Sequence, residues 1–348
     1  MKIAQVAPLF ERVPPKAYGG TERVISYLTE ELVRQGHDVT LFASGDSITA
    51  ARLVPVIDQS LRLDPSRQEW LIYHTMMLDQ VLAMADEFDV IHFHTDYLHF
   101  PLIRHLPVPH VTTLHGRLDM PDLVPLYRQF HHVPLVSISR SQRSPLPDVN
   151  WRDTVYHGLP PDLYAFHAKP GEYFAFVGRI SPEKRVDRAI DIAIRCGVPI
   201  KIAAKIDRAD EVYFKEHIEK LFRHPLVEYI GEIGEADKRV LLGGARALLF
   251  PIDWPEPFGL VLIEAFACGT PVIAYRHGSV PEIVEEGVTG FLVDDQEQAL
   301  QAAQRIDDID RARCRQTFEH RFTAQHMAEN YLRVYRQVLY ANKQQQAE

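Results

Sequence analysis

The sequence lacks the features of disulfide-bonded, secreted and membrane-spanning proteins. Its 348 residues include three cysteines, Cys196, Cys268 and Cys314, too few and too far apart for a disulfide framework or a CxxC zinc pair. No apolar run approaches the roughly 20 residues that a helix needs to span a bilayer. Residues 1–7 are typical of a first β-strand, and no signal-peptide core follows them. These absences predict a soluble protein of the reducing cytoplasm without a transmembrane segment.

A surplus of basic charge is also absent. Lysine and arginine number 38 against 47 aspartates and glutamates, a formal net charge of −9, and neither half of the chain is a basic arm. Nucleic acids, which attract positively charged surfaces, are therefore disfavoured as partners. By contrast, 46% of the residues are hydrophobic, which is ample for buried cores. At roughly 100–200 residues per domain, the length predicts two domains.

Short runs of β-branched and aromatic residues alternate with segments of helical periodicity along the whole chain. This alternation predicts an α/β protein with two Rossmann-like, doubly wound domains. The predicted strands are residues 2–7, 38–42, 90–93, 110–114 and 135–138, then 173–178, 200–204, 227–230, 247–250, 272–274 and 291–293; helices are predicted at 21–35, 68–86 and 123–130. Prolines and glycines between 160 and 171 separate the two sets. We therefore predict domains at 1–165 and 166–320. A C-terminal segment, 321–348, holds a helix from about 324 to 340 and a polar tail that frays.

Residues 256–274, EPFGLVLIEAFACGTPVIA, carry the strongest functional pattern. Pro257 lacks a backbone donor, and Gly259 leaves room for a ligand near the main chain. A helix that begins near Gly259 would direct its first amides and its positive dipole end at a phosphate. Glu256 and Glu264 could then accept hydrogen bonds from the hydroxyls of a ribose or a hexose. The alternative is that both are ordinary acids near a helix start, where the dipole favours negative charge.

This block resembles the Glu-x7-Glu donor-site signature of the family 4 glycosyltransferases, retaining enzymes of the GT-B type. Supporting stretches at residues 19–22, 278–282 and 287–293 extend the resemblance over nearly the whole chain. The resemblance implies two Rossmann-like domains that face a cleft, with a C-terminal helix that crosses back to the first domain. It also implies an acceptor-binding first domain and a second domain that binds a nucleotide-sugar donor, with Phe258, Gly259 and Leu260 at the donor site.

Two basic residues follow the first strand of the second set, in the sequence GRISPEK at 178–184. Arg179 offers a planar fork and Lys184 a compact charge, two complementary ways to hold a diphosphate. Fixed cations stabilise the charge that develops on a leaving nucleoside diphosphate. The resemblance implies this role for both residues; the alternative is a pair of solvated basic side chains at a strand end.

Glycines mark two further positions. Gly19 and Gly20 open the predicted helix at 21–35 and permit close approach of a phosphate or sugar, although they do not form a GxGxxG fingerprint. The alternative is a plain turn with Thr21 as the N-cap. The resemblance implies that the loop at 8–18 helps to shape the acceptor site. It also implies that Gly231 and Ile233 contact the nucleotide base through the main chain.

Histidine is unusually frequent, with 17 residues in the chain. His92 and His94 alternate on a predicted strand, a spacing that can bind metal, but the His, Asp and Glu spacings form no recognised site, so we predict no metal. His115 resembles the family histidine that touches the donor sugar; the alternative is a hydrogen-bonded core histidine. His92, His94 and Asp96 are predicted to support the site.

Three more residues have open roles. Trp254 could wall the sugar pocket or simply pack across its loop. Arg140 follows a predicted strand and could contact a phosphate or an acceptor. His157 stands where many relatives have the Asn of an Asn-Gly pair, and it is interpreted as part of a turn.

The predicted reaction is transfer of a hexose from a nucleotide sugar to a hydroxyl acceptor with retention, by front-face attack and without a cofactor or an essential metal. UDP-glucose is the first choice of donor and GDP-mannose the second. A small molecule or saccharide is favoured over a lipid as acceptor, because the amphipathic segment at 69–87 is acidic. The predicted catalytic residues are Glu256, His115, Arg179 and Lys184.

Two other functions remain open: a GT-B sugar-nucleotide epimerase and a non-catalytic protein that binds a nucleotide sugar. An epimerase would lack the Glu-x7-Glu block, and a binding protein would have lost its sugar-orienting acid. NAD-dependent redox chemistry is disfavoured because no Rossmann glycine fingerprint follows the first strand.

Overall fold

A computed structural model describes residues 1–17, 19–106 and 108–347 of the chain. Two compact units are present. The first consists of residues 1–160 together with the residues from Ala324 onward, and the second is Pro161–Thr323. Each unit is a parallel α/β sheet with its own core, so the predicted fold class, two doubly wound α/β domains, is confirmed.

In the described part of the first unit, seven parallel strands form one sheet in the order β3-β2-β1-β4-β5-β6-β7. The strands are β1 (Lys2–Val6), β2 (Asp38–Ala43), β3 (Arg52–Pro55), β4 (Val90–Phe93), β5 (His110–Thr113), β6 (Leu135–Ser137) and β7 (Trp151–Thr154), and the helices between them include α1 (Gly20–Arg34), α2 (Trp70–Ala83) and α3 (Leu123–Gln129). β1 pairs with both β2 and β4, so the order of connection reverses beside it. Ligands of such sheets bind at the carboxyl ends of the strands near this reversal.

The second unit, all of whose residues are described, has a six-stranded parallel sheet in the order β10-β9-β8-β11-β12-β13. Its strands are β8 (Tyr173–Arg179), β9 (Ile200–Lys205), β10 (Val227–Gly231), β11 (Ala245–Phe250), β12 (Val272–Tyr275) and β13 (Gly290–Val293), and its helices are α4 (Val186–Cys196), α5 (Glu211–Tyr213), α6 (Glu235–Gly243), α7 (Leu260–Cys268), α8 (Val280–Ile283), α9 (Gln296–Gln304) and α10 (Arg311–Arg321). β8 pairs with both β9 and β11, which places the reversal of this sheet between β8 and β11. The segments after these two strands are those in which the sequence predicted a ligand site.

The C-terminal helix, α11 (Ala324–Ala347), belongs to the first unit, as the resemblance implied. Tyr331, Val334 and Tyr335 are buried along one face of it, at helical spacing. The prediction that this helix ends near Tyr340 was wrong. The polar residues that follow are good helix formers such as Lys and Gln, and the backbone stays helical to Ala347.

The chain passes from the first unit to the second after Pro160 and back to the first after Thr323, within a few residues of the predicted limits of 165 and 320. The segment after Pro160 packs on the second unit: Arg315 donates hydrogen bonds to the carbonyls of Pro161 and Tyr164, each at 2.9 Å. The amide of His167 donates to the carbonyl of Cys268 at 2.9 Å. These contacts explain why residues 161–165 belong with the second unit. No helix in the described part of the chain is both long and apolar enough to cross a membrane.

Candidate functional site

In the second unit, helix α7 begins directly after a loop that follows β11. Gly259, its N-cap, has a left-handed backbone with φ of 79°, and no side chain caps the helix. A Cβ atom at Gly259 would lie 3.0 Å from Cδ1 of Leu262. The left-handed conformation therefore favours glycine at this position, and a Cβ would press only on the end of the Leu262 side chain. Without a side-chain cap, the first amides of α7 are suited to an anion.

Glu256 lies in this loop and forms an ion pair with Lys184. Trp254 Nε1 donates a 3.1 Å hydrogen bond to the same carboxylate oxygen, and Lys184 Nζ lies 4.9 Å from the centre of a Trp254 ring. The side chain of Glu256 is 11% exposed and that of Lys184 20%. The structure thus brings together the cation predicted for the diphosphate and the carboxylate predicted for the sugar, and each neutralises the other.

The backbone of Glu256 is fixed by the turn at Gly278. Ser279 N donates to Glu256 O at 2.9 Å. A Cβ at Gly278 would come within 2.4 Å of both the nitrogen and the oxygen of Glu256, so only glycine allows this close approach. Residues 278–279, part of the stretch that resembles the family, therefore fix the backbone of Glu256.

Glu264, in the second turn of α7, pairs with a lysine that sequence reasoning missed. Lys238 Nζ lies 2.5 Å from Glu264 Oε1 and 3.4 Å from Glu235. The side chains of Glu264 and Lys238 are 3% and 13% exposed. The only available signal was the i,i+3 spacing of Glu235 and Lys238 after the strand that ends at Gly231.

Arg179, at the end of β8, is surrounded by three carboxylates. Its guanidinium donates to Glu183 at 2.6 Å and lies 3.4 Å from Asp210 and 3.8 Å from Asp207. Burial raises the pKa of Asp210 above its ordinary value, with Arg179 opposing that shift.

The other residues predicted at this site have different environments. Gly231 has φ of 76°, and a Cβ there would meet no atom within 4 Å, so its backbone conformation explains the glycine. Ile233 is half-buried, and Leu260 is the first residue of α7. The side chain of Phe258 is buried, with its ring 6.4 Å from that of Phe322. Phe258 can therefore reach a ligand only through its main chain.

In the first unit, His115 follows β5 and is the end of a hydrogen-bonded group. Its Nε2 lies 2.9 Å from Nδ1 of His94, whose Nε2 lies 2.8 Å from Oε1 of Gln5. His157, the departure from the family pattern, stacks on His115 with ring centres 5.4 Å apart. Burial lowers the pKa of His115 to about 3 and the pKa values of His94 and His157 well below their ordinary value. All three rings are therefore neutral at pH 7.

His92 belongs to the same group. Its Nδ1 lies 2.8 Å from the hydroxyl of Tyr335 and its Nε2 2.7 Å from that of Thr113. Among the described residues, no three His, Cys, Asp or Glu side chains are arranged to hold a metal ion. The alternation of His92 and His94 thus builds a network with α11.

His115 also lines a cavity of about 300 Å³ in the first unit. The lining residues are Pro8, Phe10, Thr21, Glu22, Trp70, His74, His94, Thr95, Asp96, Tyr97, Leu98, His115 and Gly116. Burial raises the pKa of Asp96 to about 6 and that of Glu22 to about 7. Pro8 and Phe10 of the 8–18 loop line this cavity. Tyr18 lies outside the described residues.

The Gly19–Gly20 pair opens α1 close to the same cavity. Gly19 has φ of 147°, and a Cβ there would lie 2.8 Å from Pro15. Gly20 faces open space. The carboxyl of Glu22 accepts hydrogen bonds from the backbone amides of Glu22 and Glu11, which lower its pKa against the larger effect of burial. The carboxyl group of Glu22 thus already accepts a hydrogen bond from one of the amides in the first turn of α1. Arg140 is exposed at the end of the segment after β6.

Two family models match successive parts of the chain. The model described as Glycosyltransferase Family 4 matches residues 18–177, and the model described as Glycosyl transferases group 1 matches residues 165–322. An alpha-maltose-1-phosphate synthase of Mycolicibacterium smegmatis is 26% identical over 393 aligned positions, covering 96% of this chain and 99% of that protein.

Solved structures share the fold over nearly the whole chain. The sucrose-phosphate synthase of Thermosynechococcus elongatus is 20% identical with a TM-score of 0.80, and the alignment covers 98% of this chain and 99% of that one. Anabaena HepE, solved with UDP-glucose, is 20% identical with a TM-score of 0.70, covering 99% and 100%. The family matches and the two parallel-sheet units agree: the chain belongs to the family 4 glycosyltransferases of the GT-B type.

Proposed function

We propose that this glycosyltransferase moves a hexose from a nucleotide sugar to a hydroxyl acceptor with retention of anomeric configuration. The observation that carries the proposal is the start of α7. There the uncapped helix, the Lys184–Glu256 pair and the buried Glu264 lie on one unit. Such a combination offers donors for a diphosphate and acceptors for sugar hydroxyls.

The ion pair explains how ligand binding could change the site. A diphosphate that reaches the α7 amides competes with Glu256 for Lys184, because it carries more negative charge than one carboxylate. Glu256, still fixed through Trp254 and Ser279, is then free to accept hydrogen bonds from hexose hydroxyls. Glu264 accepts hydrogen bonds from the ribose diol, beside Lys238.

Lys184, Arg179 and the helix amides then stabilise the leaving diphosphate more strongly in the transition state than in the ground state. A diphosphate oxygen takes the acceptor proton on the face from which the leaving group departs. Glu256 is held by a lysine and an indole, an arrangement that suits orientation of hydroxyls better than nucleophilic attack. This favours front-face attack over a covalent intermediate of the kind that retaining hydrolases use.

UDP-glucose is the proposed donor and GDP-mannose the second choice. Main-chain contacts at Gly231 and Ile233 would discriminate bases weakly, so a donor panel is needed. HepE binds UDP-glucose, but its likeness supports the fold rather than the donor.

The cavity of the first unit is the proposed acceptor site. Its volume lies at the lower end of the range for small-molecule sites, and its aromatic and carboxyl lining suits a saccharide. α2 exposes apolar side chains, Leu71 and Ile72 among them, yet residues 69–87 contain no lysine or arginine to attract an anionic membrane. A small molecule or saccharide is therefore preferred to a lipid.

A donor screen followed by a product assay tests the proposal. Thermal shifts with UDP-glucose, GDP-mannose and ADP-glucose identify the base, since a ligand at 100 times its Kd stabilises by about 2.7 kcal/mol. The selected donor is then incubated with glucose and maltose acceptors, with and without EDTA. Transfer that survives EDTA supports the proposal of a metal-independent hexosyltransferase.

The same assay separates the two other functions. An epimerase converts the nucleotide sugar to an isomer without any acceptor. A binding protein gives a thermal shift but no product, and a Glu256→Gln variant of it would behave like the unaltered chain. Either result overturns the proposal.

A further inference from the structure

Four side chains of the second unit form a network of hydrogen bonds and ion pairs that ends at Glu264. The hydroxyl of Tyr164 donates to Oε1 of Glu235, and Oε2 of Glu235 lies 3.4 Å from Nζ of Lys238. The same Nζ lies 2.5 Å from Oε1 of Glu264. Lys238 therefore lies between two carboxylates, and the Tyr164 hydroxyl holds the more distant of them from its other side.

Tyr164 lies in the segment by which the chain enters the second unit. Its side chain is almost fully buried, and Arg315 of α10 donates to its carbonyl and to that of Pro161, each at 2.9 Å. Glu235 is the first residue of α6, the helix that also carries Lys238. The Tyr164 ring therefore connects the entering segment to the start of α6.

The network leaves one oxygen of Glu264 for a ligand. Oε1 is taken by Lys238, whereas Oε2 has no hydrogen-bond or ion-pair partner in the described part of the chain. Because an ion pair at one oxygen restrains the rotation of the carboxylate, Lys238 determines the direction in which Oε2 accepts a hydrogen bond. A direction fixed in advance lowers the entropy cost of binding a hydroxyl there.

The position of Lys238 depends on the balance between the two carboxylates. Buried charges attract each other more strongly than exposed ones, so the ammonium shifts toward the carboxylate whose charge is less well satisfied by other donors. The Tyr164 hydroxyl satisfies part of the hydrogen-bonding capacity of Glu235 and so weakens its attraction for the ammonium. The distances agree with this balance, since Lys238 lies closer to Glu264 than to Glu235.

We propose that Tyr164 is a positioning residue: acting through Glu235 and Lys238, it fixes the direction in which the free oxygen of the network accepts hydrogen bonds from a ribose diol. This role rests on the proposed function, which places the diol at Glu264. It adds that discrimination of ribose from deoxyribose depends on how residues 161–165 pack on the second unit. Without the Tyr164 hydroxyl, Glu235 competes more strongly for Lys238. Glu264 then loses the fixed direction of its carboxylate.

Calorimetry with nucleotides that lack the diol tests this role. The Kd values of UDP, GDP and ADP are compared with those of their 2′,3′-dideoxy analogues, and the pair that contains the tightest ligand serves as the probe. We expect the unaltered protein to bind the ribonucleotide roughly 10- to 100-fold more tightly than its analogue, the value of a hydrogen bond to a charged group. Tyr164→Phe should lower this ratio on the order of threefold, because its effect is indirect. The Kd of the dideoxy analogue should stay unchanged, because the first amides of α7 reach a diphosphate without the network.

Tyr173→Phe is the matched control. The Tyr173 hydroxyl donates to the carbonyl of Leu241 in α6 at 2.8 Å, so this variant loses a hydrogen bond to the same helix and leaves the network intact. We expect both tyrosine variants to lower Tm, but only Tyr164→Phe to lower the ratio. A merely structural role of Tyr164 would give the two variants the same ratio.

A double-mutant cycle tests the route through Lys238. Lys238→Met removes the ion pair of Glu264 and should lower the ratio more than Tyr164→Phe does. In the Lys238→Met background, the further change Tyr164→Phe should leave the ratio as it is, because the hydroxyl then has no ammonium to act through. Independent, additive effects of the two changes overturn this route.

The possible outcomes distinguish this role from the proposed function. An unchanged ratio in Tyr164→Phe, or an equal fall in Tyr173→Phe, overturns the positioning role. An unaltered protein that binds the ribonucleotide and its dideoxy analogue equally refutes the assignment of the diol to Glu264, on which the role rests. Absence of binding by all three nucleoside diphosphates refutes the proposed function itself.

Discussion

The Glu264–Lys238 pair allows nucleotide binding to be separated from folding stability. A Glu264→Gln substitution leaves Lys238, 13% exposed, with Glu235 at 3.4 Å as its remaining partner. Breaking a buried ion pair by removing one member costs about 3–5 kcal/mol. We expect about 3 kcal/mol, the lower end of that range, because Glu235 still compensates part of the lysine charge.

Thermal unfolding measures this loss. In a domain of this size each kcal/mol shifts Tm by roughly 2–4 °C, so Glu264→Gln lowers the Tm of the second unit by roughly 6–12 °C. The double variant Glu264→Gln/Lys238→Met removes the uncompensated charge as well and recovers most of that Tm. Lys238→Met alone leaves a buried carboxylate and is destabilising like Glu264→Gln.

The affinity of these variants for UDP should not follow their Tm values. If Glu264 accepts hydrogen bonds from the ribose diol, both the single and the double variant lose it. A hydrogen bond to a charged group contributes about 1.5–3 kcal/mol, which corresponds to roughly a 10- to 100-fold rise in the Kd of UDP by calorimetry. Glu256→Gln, by contrast, lowers turnover and leaves the Kd of UDP nearly unchanged, because UDP carries no hexose. A double variant that binds UDP like the unaltered protein would refute the assignment of Glu264.

Three further changes have expected outcomes. Burial raises the pKa of Glu22 from 4.5 to about 7, so the folded state holds this proton more tightly than the unfolded state, and the resulting stabilisation is fully present below pH 4.5 and is lost as the pH rises through 7. Glu22→Gln should therefore raise the free energy of unfolding by about 3 kcal/mol at pH 8, but not at pH 4, in urea denaturation. Equal effects at both pH values would contradict this. Gly259→Ala should lower the free energy of unfolding by about 1–2 kcal/mol and weaken UDP binding. The matched control is Gly287→Ala, at a position with φ of 71° and open space around it, which should lose a similar stability and bind UDP normally. Arg311→Met removes hydrogen bonds to three carbonyls and a hydroxyl, and should lower the Tm of the second unit far more than Arg313→Met at an exposed position; similar Tm values contradict a structural role for Arg311.

The second unit was largely predictable because its signals are local. Glycine and proline mark the start of α7, and Glu256 and Glu264 flank that start within one short segment. Lys238 was missed because its contact with Glu264 depends on how α6 packs beside α7, which no spacing in the sequence records. The environment of Arg179, among three acidic side chains from two loops, is a tertiary property for the same reason.

In the first unit, local sequence patterns predicted only part of the structure. The central strands were predicted, but β3 and β7 were not, because Arg52 and Pro55 in one and Trp151–Thr154 in the other do not resemble buried alternating strands. The pairing of His92 with Tyr335 spans 243 positions of the chain, and Gln5 is a single polar residue in an apolar strand. The histidine-rich pattern predicted a supporting role for His92 and His94, but it could not predict these long-range hydrogen bonds.

The anomeric configuration of the product is the most direct test of the central claim, retaining hexosyl transfer. UDP-glucose carries an α-linked glucose, so proton NMR of the glycoside formed with an acceptor should show an α-anomeric coupling in the initial product. Glu256→Gln should form the same anomer more slowly. A β-linked product, or no product from UDP-glucose, GDP-mannose or ADP-glucose, would contradict the account.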